Sequence, residues 1–359
     1  MAQQGFIITA VFTFFLSMTG IFLTEPILRL LGAGPDVIAQ GAPYIRIQFV
    51  VSIFMTCRMT TDAIMEASGD TVTPMKLTVI YRLFHIVLCP FLIFGWWFFP
   101  RLGVSGAALT NIFSQGLGAA LGLWFLFSGR TRLRLSLKGF HFDLSMIWRI
   151  VRIGIPASVS SVERSFGSTV IMRLTAPFGT LALASHTICD RIDMALSMPP
   201  GATGTAAGVL AGQNLGAKQP ERAARTVWLA AAIGEGLMAA LSLVLLLSPQ
   251  TVARIFGSDP ELIKVASTFL RIMVVYFLGE GLRMVFNQSL NSVGDTIPPM
   301  FLALSSRWLV NVPLAFFLPR VTNLGVLGIR WAMVINTIIQ AAALMIYFKL
   351  GRWKQKKVY

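Results

Sequence analysis

The stretch GDTVTPM at residues 69–75 returns as GDTIPPM at residues 294–300. The same offset of 225 residues relates residues 29–82 to residues 254–307 without a gap, and 16 of the 54 aligned positions are identical. This composition would give roughly four identities by chance. Many of the identities are Gly, Pro, Asp or Arg, which a generic match between two apolar segments would not supply. The chain is therefore internally duplicated.

The composition predicts that the duplicated unit lies in a membrane. Hydrophobic residues make up 55% of the 359 residues, charged residues only 13%, and the mean hydropathy is +0.72. A soluble core could not bury so much apolar surface, so the predicted fold class is an all-α integral membrane protein. The net charge of +15 comes largely from basic clusters at residues 130–152, 218–225 and 349–357, which flank apolar segments. This positive-inside pattern predicts a lipid bilayer, and no nucleic acid, as the partner.

About ten transmembrane helices are predicted from the lengths of the apolar segments. They lie near residues 6–28, 40–67, 73–98, 103–128, 148–175, 179–208, 224–248, 262–291, 297–319 and 325–349. Ten spans put both termini on one side, which the basic clusters make cytoplasmic. An even number of spans separates equivalent elements, so the repeats are expected to be parallel. The predicted organisation is two pseudo-symmetric bundles, an incomplete four-helix lobe at residues 1–138 and a six-helix lobe at residues 139–359.

The repeat also predicts helices that precede this sequence. Two spans, at about residues 148–208, come before the second copy, whereas nothing comes before the first. Subtracting 225 from 148 gives −77, so about 77 residues and two helices are expected upstream of residue 1. We therefore expect a parent of twelve helices in two bundles of six. Without the two helices, the chain is expected to insert into the membrane but to transport poorly.

A glycine-rich motif, GQNLGAK at residues 212–218, directly follows the sixth span, which PPG at residues 199–201 interrupts. Together with GIPA at residues 154–157 and the paired GDT turns, this motif resembles the multidrug and toxic compound extrusion (MATE) transporters. The resemblance covers the whole chain, from the family's third helix to its twelfth. We interpret the motif as a structural turn whose glycines allow a tight backbone and whose amides tie helix ends together. The residues assigned this role are Gly212, Gln213, Asn214, Gly216 and Ala217.

The two GDT turns are interpreted in the same structural way. Asp70 and Asp295 lie at the starts of predicted helices, where an aspartate can cap free backbone N–H groups.

The fifth predicted span carries a polar stripe. Pro156, Ser160, Glu163 and Gly167 share one helix face at spacings of four, three and four residues. A charge inside a bilayer is costly, so Glu163 is a functional candidate. Pro156 frees a backbone carbonyl that a cation or a proton donor could use.

The eighth span carries a second stripe, formed by Glu280, Arg283, Asn287 and Asn291. The arginine has a counterpart in the first copy, but Glu280 aligns with Met55. An acid present in only one copy is hard to explain as repeated architecture, so Glu280 is predicted to bind a coupling ion. The alternative is a structural ion pair between Glu280 and Arg283.

The sixth span contains two acids, Asp190 and Asp193, with Arg191 between them. They could form an added cation site or a packing network. Met194 and Met198 follow Asp190 at i+4 and i+8, and are predicted to share its face. Flexible thioethers suit a pocket for varied, flat, cationic molecules.

The resemblance adds expectations for individual residues. The sodium-coupled branch of the family has an acid in its tenth helix, which Glu280 matches, and a glutamate in its seventh, which Glu163 matches less closely. A Na⁺ site is therefore expected at Glu280 and Glu163, and Arg283 and Asn287 are assigned to the substrate. The family's proton-linked aspartate lies in its first helix and has no counterpart here.

The function predicted is that of a secondary antiporter, a monomer in the bacterial inner membrane that exports organic cations or drugs in exchange for H⁺ or Na⁺, with no cofactor. One alternative is a flippase for lipid-linked or polysaccharide precursors, in which arginines would hold phosphates. The candidates for that role are Arg46, Arg58, Arg82, Arg271, Arg283 and Arg307. Another alternative is an inactive remnant. An enzyme is not predicted, because no nucleophile–base set or metal motif is recognisable on any span.

Overall fold

The computed structural model describes residues 2–30, 34–97, 100–131 and 143–355. Every regular element in these ranges is helical. The chain divides into two compact units, Met1–Ile150 and Val151–Tyr359. The predicted boundary at residues 138/139 lies outside the described residues.

The first unit contains the four predicted spans of the first lobe. These are α1 (Ala2–Leu30), α2 (Pro35–Ala67), α3 (Val72–Phe94) and α4 (Gly103–Ser128). Helices α1 and α4 pack on α2, and α3 packs on α4. Large apolar side chains such as Phe12, Phe22 and Ile86 point outward and are mostly exposed. Helices that are apolar on their outer faces fit a lipid environment.

The second unit is built around one central helix. Its elements are α5 (Leu144–Thr175), α6 (Thr180–Leu196), α7 (Met198–Gly216), α8 (Pro220–Leu247), α9 (Pro249–Arg254), α10 (Pro260–Ser292), α11 (Ile297–Ser306), α12 (Val312–Val321) and α13 (Leu327–Lys349). A π-helical segment, Arg307–Asn311, joins α11 to α12. Helix α10 packs against α6, α7, α8 and α13. Its Phe269, Phe277 and Phe286 are fully buried, so α10 forms the core of the unit.

The duplication is visible in how each unit packs. The offset of 225 aligns α1 with α8, α2 with α10, α3 with α11 and α12, and α4 with α13. In both units the first of these helices packs on the second, the second on the fourth, and the third on the fourth. The repeated sequence therefore encodes a repeated packing arrangement.

Eight helical segments in the described ranges are long and apolar enough to cross a membrane. The predicted spans near residues 148–175 and 179–208 are helical too, but do not meet that criterion. Helix α5 is less apolar, since Arg149, Glu163, Arg164 and other charged residues are spread along it. The sixth span is divided into two shorter helices, α6 and α7.

The division of the sixth span follows from its prolines, as the sequence predicted. Helix α6 ends at Leu196, and Pro199 and Pro200 lie in the first turn of α7. A proline has no N–H group to donate to the carbonyl four residues earlier, but it is favourable in the first turn of a new helix.

The motif at residues 212–218 differs from its prediction as a tight loop, because α7 continues through Gly216. The left-handed residue is Lys218, with φ 58°. The N–H of Gln219 donates to the carbonyl of Asn214 at 2.8 Å, which makes the helix end a Schellman motif. A Cβ built on either glycine of the motif would meet no heavy atom within 4 Å. The predicted tight-backbone role of these glycines is therefore wrong.

The two GDT turns have the same backbone conformation but differ in their side-chain contacts. Gly69 and Gly294 are left-handed, with φ 85° and 82°. Asp70 accepts a hydrogen bond from the backbone N–H of Thr73 at 3.0 Å, so its predicted capping role is confirmed. Asp295 is buried and accepts a hydrogen bond from the hydroxyl of Tyr347 at 2.6 Å.

Candidate functional site

The second unit contains a cavity of about 420 Å³, lined by α5, α6, α10, α11, the π segment and α13. Four carboxylates and three guanidinium groups line it. They are Glu163, Asp190, Asp193 and Glu280, and Arg164, Arg283 and Arg307. Amides and hydroxyls complete its polar surface, from Ser160, Tyr276, Asn287, Asn311, Asn336, Thr337 and Gln340 among others.

Glu280 enters the cavity from the central helix as half of an ion pair. The residue is only 3% exposed. The Nε of Arg283 donates to its Oε2 at 2.6 Å, and the Nη2 of Arg283 donates to its other oxygen. A bidentate pair of this kind is strong and directional. The ion pair that the sequence left open is therefore present, in a position that faces the cavity.

Glu163 forms a second ion pair across the bundle. Its Oε1 lies 3.1 Å from the Nε of Arg307, and its side chain is 5% exposed. Gly167, one turn further along α5, makes room for this pair. A Cβ at residue 167 would lie 2.9 Å from the Nε of Arg307. The polar stripe predicted on the fifth span thus includes both the acid and the space for its partner.

Both cavity pairs use an arginine that the repeat conserves. Arg283 corresponds to Arg58, and Arg307 to Arg82. In the first unit, Arg58 pairs with Asp62 at 2.5 Å and donates to Gln115 at 2.8 Å. The sequence pointed to Arg307 only as a phosphate-binding candidate and did not predict its pairing with Glu163.

The two acids of α6 have different surroundings. Asp193 accepts a hydrogen bond from the hydroxyl of Tyr276 at 3.1 Å. Asp190 is about half exposed, and its Oδ2 lies 3.4 Å from the Nε2 of His186. Arg191 is exposed and is not among the described residues that line the cavity.

Two amides on α13 were missed by the sequence analysis. Asn336 and Gln340 line the cavity, and the Nε2 of Gln340 donates to Ser306 Oγ at 2.6 Å. They align with Asn111 and Gln115 at the same offset of 225. Extending the repeat beyond residue 82 would have identified them.

Most of the predicted functional residues of this unit meet in one place. The cavity brings together Glu163, Asp190, Asp193, Met194, Glu280, Arg283 and Asn287. Met198 begins α7, after the helix break, and is not among the described lining residues, because the break ends the face that it was predicted to share. Pro156 lies on α5 before the cavity begins at Ser160, and its carbonyl accepts a hydrogen bond from that serine at 3.0 Å. Glu235 on α8 is a further intramembrane acid that the sequence analysis missed, and it lies outside the described lining.

The sequence model of the MatE family matches residues 1–91 and 156–317. The probable multidrug resistance protein NorM of Thermotoga maritima is 25% identical over 326 residues, which are 90% of this chain and 69% of that protein. The probable multidrug resistance protein YoeA of Bacillus subtilis is 26% identical, over 98% of this chain and 77% of that protein. The FAD transporter of Shewanella oneidensis is 24% identical, over 95% of this chain and 75% of that protein.

Solved structures share the fold. A MOP superfamily transporter from Pyrococcus furiosus gives a TM-score of 0.92 at 20% identity, covering 99% of this chain and 79% of that chain. A MATE transporter in the bent conformation gives a TM-score of 0.89 at 20% identity, covering 97% of this chain and 77% of that one. The all-α membrane fold predicted from the sequence is thereby confirmed.

Proposed function

Because this chain belongs to the MatE family, we propose that it is a secondary antiporter that exports organic cations or drugs in exchange for Na⁺ or H⁺. We place it in a bacterial inner membrane with both termini cytoplasmic, as the basic clusters favour. The names of the NorM and YoeA relatives support drug export as the direction of transport.

The observation that carries this proposal is the charge of the cavity in the second unit. Four carboxylates and three guanidinium groups line it, and the buried Arg330 contacts His186 of this lining. Two of the carboxylates, Asp190 and Asp193, are bound to no guanidinium group among the described residues, and a carboxylate in an apolar bundle is unfavourable unless a proton or a cation compensates it. Tyr276 and the flexible side chains of Met194, Met284 and Met333 line the same cavity and offer a soft surface to an organic cation.

The ion pairs provide a route for coupling. Glu280 is held by Arg283 and Glu163 by Arg307. Each carboxylate can bind its arginine, or release it and bind a proton or a cation. If the coupling ion binds when a pair is released and the substrate binds when it is closed, the two cannot bind at the same time. Such mutual exclusion is the requirement for exchange.

The test is cation efflux from everted vesicles with the variant Glu280→Gln. We expect loss of efflux driven by either a Na⁺ or a proton gradient, with normal amounts of protein in the membrane. The variant lacks the carboxylate that binds either Arg283 or the coupling ion. Glu235→Gln is the matched control, since it removes an intramembrane acid outside the cavity lining, and it should transport like the wild type. Unchanged transport by a well-expressed Glu280→Gln protein would show that this acid has no role in coupling.

A second candidate is the export of a phosphate-bearing anion, such as a lipid-linked or polysaccharide precursor. The three cavity arginines favour it, because guanidinium groups bind phosphate in a bidentate manner. The similarity to a protein named FAD transporter points in the same direction. The same vesicles, loaded with a cationic dye or with a phosphate-bearing anion, distinguish the two candidates.

A further inference from the structure

The first unit contains a pocket of its own, of about 590 Å³, between the end of α1 and the start of α2. Its charged lining residues are Glu25, Arg29 and Arg46. The Nη2 of Arg46 donates to the Oε1 of Glu25 at 2.7 Å, and the two side chains of this pair are 43% and 42% exposed. Arg29 is exposed and forms no ion pair among the described residues. The pocket therefore carries one excess positive charge.

The rest of the pocket lining is apolar and continues into the outer surface of the two helices. This apolar wall consists of Pro35, Ile38, Ala39, Ala42 and Pro43. Ile27 on α1 and Val37 on α2, each next to lining residues in the sequence, are 42% and 59% exposed. Exposed apolar side chains on a membrane-spanning helix face lipid. The pocket thus joins an apolar wall that is open to lipid with two guanidinium groups.

The pocket lies on the side of the membrane opposite the basic clusters. Helix α1 ends on this side, and three further spans bring the chain to the cluster that begins at residue 130, on the other side. The positive-inside pattern disfavours arginine on the side that lacks the clusters. The topology therefore does not account for Arg29 and Arg46.

The second copy of the repeat keeps both arginines. Seven of the lining residues fall within the repeat, and four of the seven are identical in the second copy, against 16 of 54 positions over the whole repeat. Arg29, Pro35, Ile38 and Arg46 return as Arg254, Pro260, Ile263 and Arg271. Arg254 and Arg271 are exposed too, and neither is among the described residues that line the cavity of the second unit. The arginine pair is therefore a feature of the repeated unit that the cavity does not use.

We infer that the Arg29–Arg46 pocket binds the phosphate group of an anionic phospholipid, such as phosphatidylglycerol, from the surrounding leaflet. Guanidinium groups hold phosphate oxygens by bidentate, charge-assisted hydrogen bonds. The Glu25–Arg46 pair is weak because it is exposed, so Arg46 can turn to the phosphate. The apolar wall receives the glycerol backbone and the first acyl carbons, which a free phosphate lacks. The lipid is a bound partner and not the transported substrate, so this inference goes beyond the proposed function.

The test is site-specific fluorescence quenching in nanodiscs made of phosphatidylcholine. A cysteine introduced by Val37→Cys carries a bimane label, in the full chain with Cys57, Cys89 and Cys189 replaced by alanine. Increasing fractions of the matrix lipid are exchanged for acyl-spin-labelled phosphatidylglycerol or for phosphatidylcholine with the same spin label. We expect the phosphatidylglycerol quencher to reach half-maximal quenching at a roughly fivefold lower fraction, the preference that one uncompensated arginine gives.

Two variants should shift this preference in opposite directions. Arg29→Gln should abolish it, because the pocket then has no excess positive charge. Glu25→Gln should increase it about fivefold further, because Arg46 loses the carboxylate that competes with the phosphate. Arg101→Gln is the matched control, since it removes an exposed arginine of the same unit and membrane side that is outside the described pocket lining, and it should keep the wild-type preference.

Folding is monitored by the melting temperature of each variant. If Arg29→Gln fails to fold, Glu25→Gln decides the question, because damage to the fold cannot strengthen a lipid preference. Equal quenching by the two lipids in the wild type, or an unchanged preference in both Arg29→Gln and Glu25→Gln, would overturn the site. Loss of the preference on addition of millimolar inorganic phosphate would show that the pocket takes a free phosphate, and would overturn the assignment to a lipid.

Discussion

At the residue scale, the cavity is organised by two acid–arginine pairs whose partners lie at very different separations along the chain. Glu280 and Arg283 are neighbours on one helix face, whereas Glu163 and Arg307 are 144 residues apart. Removing one partner of a buried pair leaves an uncompensated charge, which costs roughly 3–5 kcal/mol. Each pair is therefore sensitive to neutralisation of its acid.

If the two pairs act in one exchange cycle, neutralising both acids should do little more damage than neutralising one. We expect Glu163→Gln and the double variant Glu163→Gln/Glu280→Gln to show similar losses of ion-driven efflux, because either change interrupts the same cycle. The measurement is the initial efflux rate at several ion gradients. Additive losses would indicate that Glu163 has only a packing role.

Gly167 affects the Glu163–Arg307 pair only by having no side chain, which leaves room for the Arg307 guanidinium. In Gly167→Ala the new methyl group would displace the flexible guanidinium of Arg307 from Glu163. We expect efflux to fall about tenfold, equivalent to about 1.4 kcal/mol, while the melting temperature changes by only a few degrees. Gly154→Ala on the same helix is the control, since its Cβ meets nothing within 4 Å, and it should leave efflux unchanged. Equal efflux in both variants would contradict this role of Gly167.

The sequence predicted the acids of the cavity better than their partners. Glu163 and Glu280 were recognisable because a charge in an apolar segment is costly. Asn336 is neutral and was recognisable only by extending the repeat into α4 and α13. The contact between Glu163 and Arg307 depends on the rotation of α5 against the π segment, and helical periodicity does not specify that rotation.

At the scale of elements, the lengths of the apolar segments predicted where the helices lie, but the C-terminal end of α7 was mispredicted. The glycines of residues 212–218 suggested a loop because glycine usually marks turns. Helix α7 is rich in glycine for another reason, close packing against α10. A Cβ at Gly204 would lie 2.9 Å from the Cα of Val285, and one at Gly208 would overlap the side chain of Ser292. Tertiary packing, which local sequence does not reveal, therefore keeps Gly204 and Gly208 in the helix, whereas Gly212 and Gly216 have no such contact and simply continue it.

The left-handed end of α7 gives a prediction about stability. Lys218 has φ 58°, a conformation that costs a non-glycine residue about 1 kcal/mol. Lys218→Gly should therefore raise the melting temperature of the purified protein by a few degrees. Ala217→Gly, one residue earlier at φ −79°, should lower it, because glycine gains nothing there and loses more entropy on folding. A fall in both variants would show that the Lys218 side chain stabilises this turn by other contacts.

At the scale of the whole molecule, the duplication preserves the packing of each unit and changes its charges. Arg58 keeps the place of Arg283, but its acid lies at Asp62, where the second copy has Asn287. The two units thus share a helix arrangement while presenting different polar groups. The sequence predicted this shared arrangement because the identical positions include the glycines and prolines that determine the backbone at the helix ends, such as Gly69 and Gly294.

The predicted topology can be tested on intact cells. In a variant whose native cysteines, Cys57, Cys89 and Cys189, are replaced by alanine, a single cysteine is placed at Lys218 or at Asp259. We expect a membrane-impermeant maleimide to label the Asp259 site directly and the Lys218 site only after permeabilisation, because the basic clusters orient the chain. The opposite labelling pattern would invert the orientation of the protein.

The break between α6 and α7 has a mechanical consequence. Pro199 and Pro200 cannot donate to the carbonyls four residues earlier, so the sixth span, formed by α6 and α7, bends most easily beside Ser197. On one side, α7 is pressed against α8 and α10; on the other, α6 contacts chiefly α10 and carries Asp193. Bending at this joint moves the Asp193 carboxylate while the α7–α8 layer stays in place. The joint thus lies one turn from a buried carboxylate of the cavity, so a small tilt of α6 changes the electrostatic energy of the cavity.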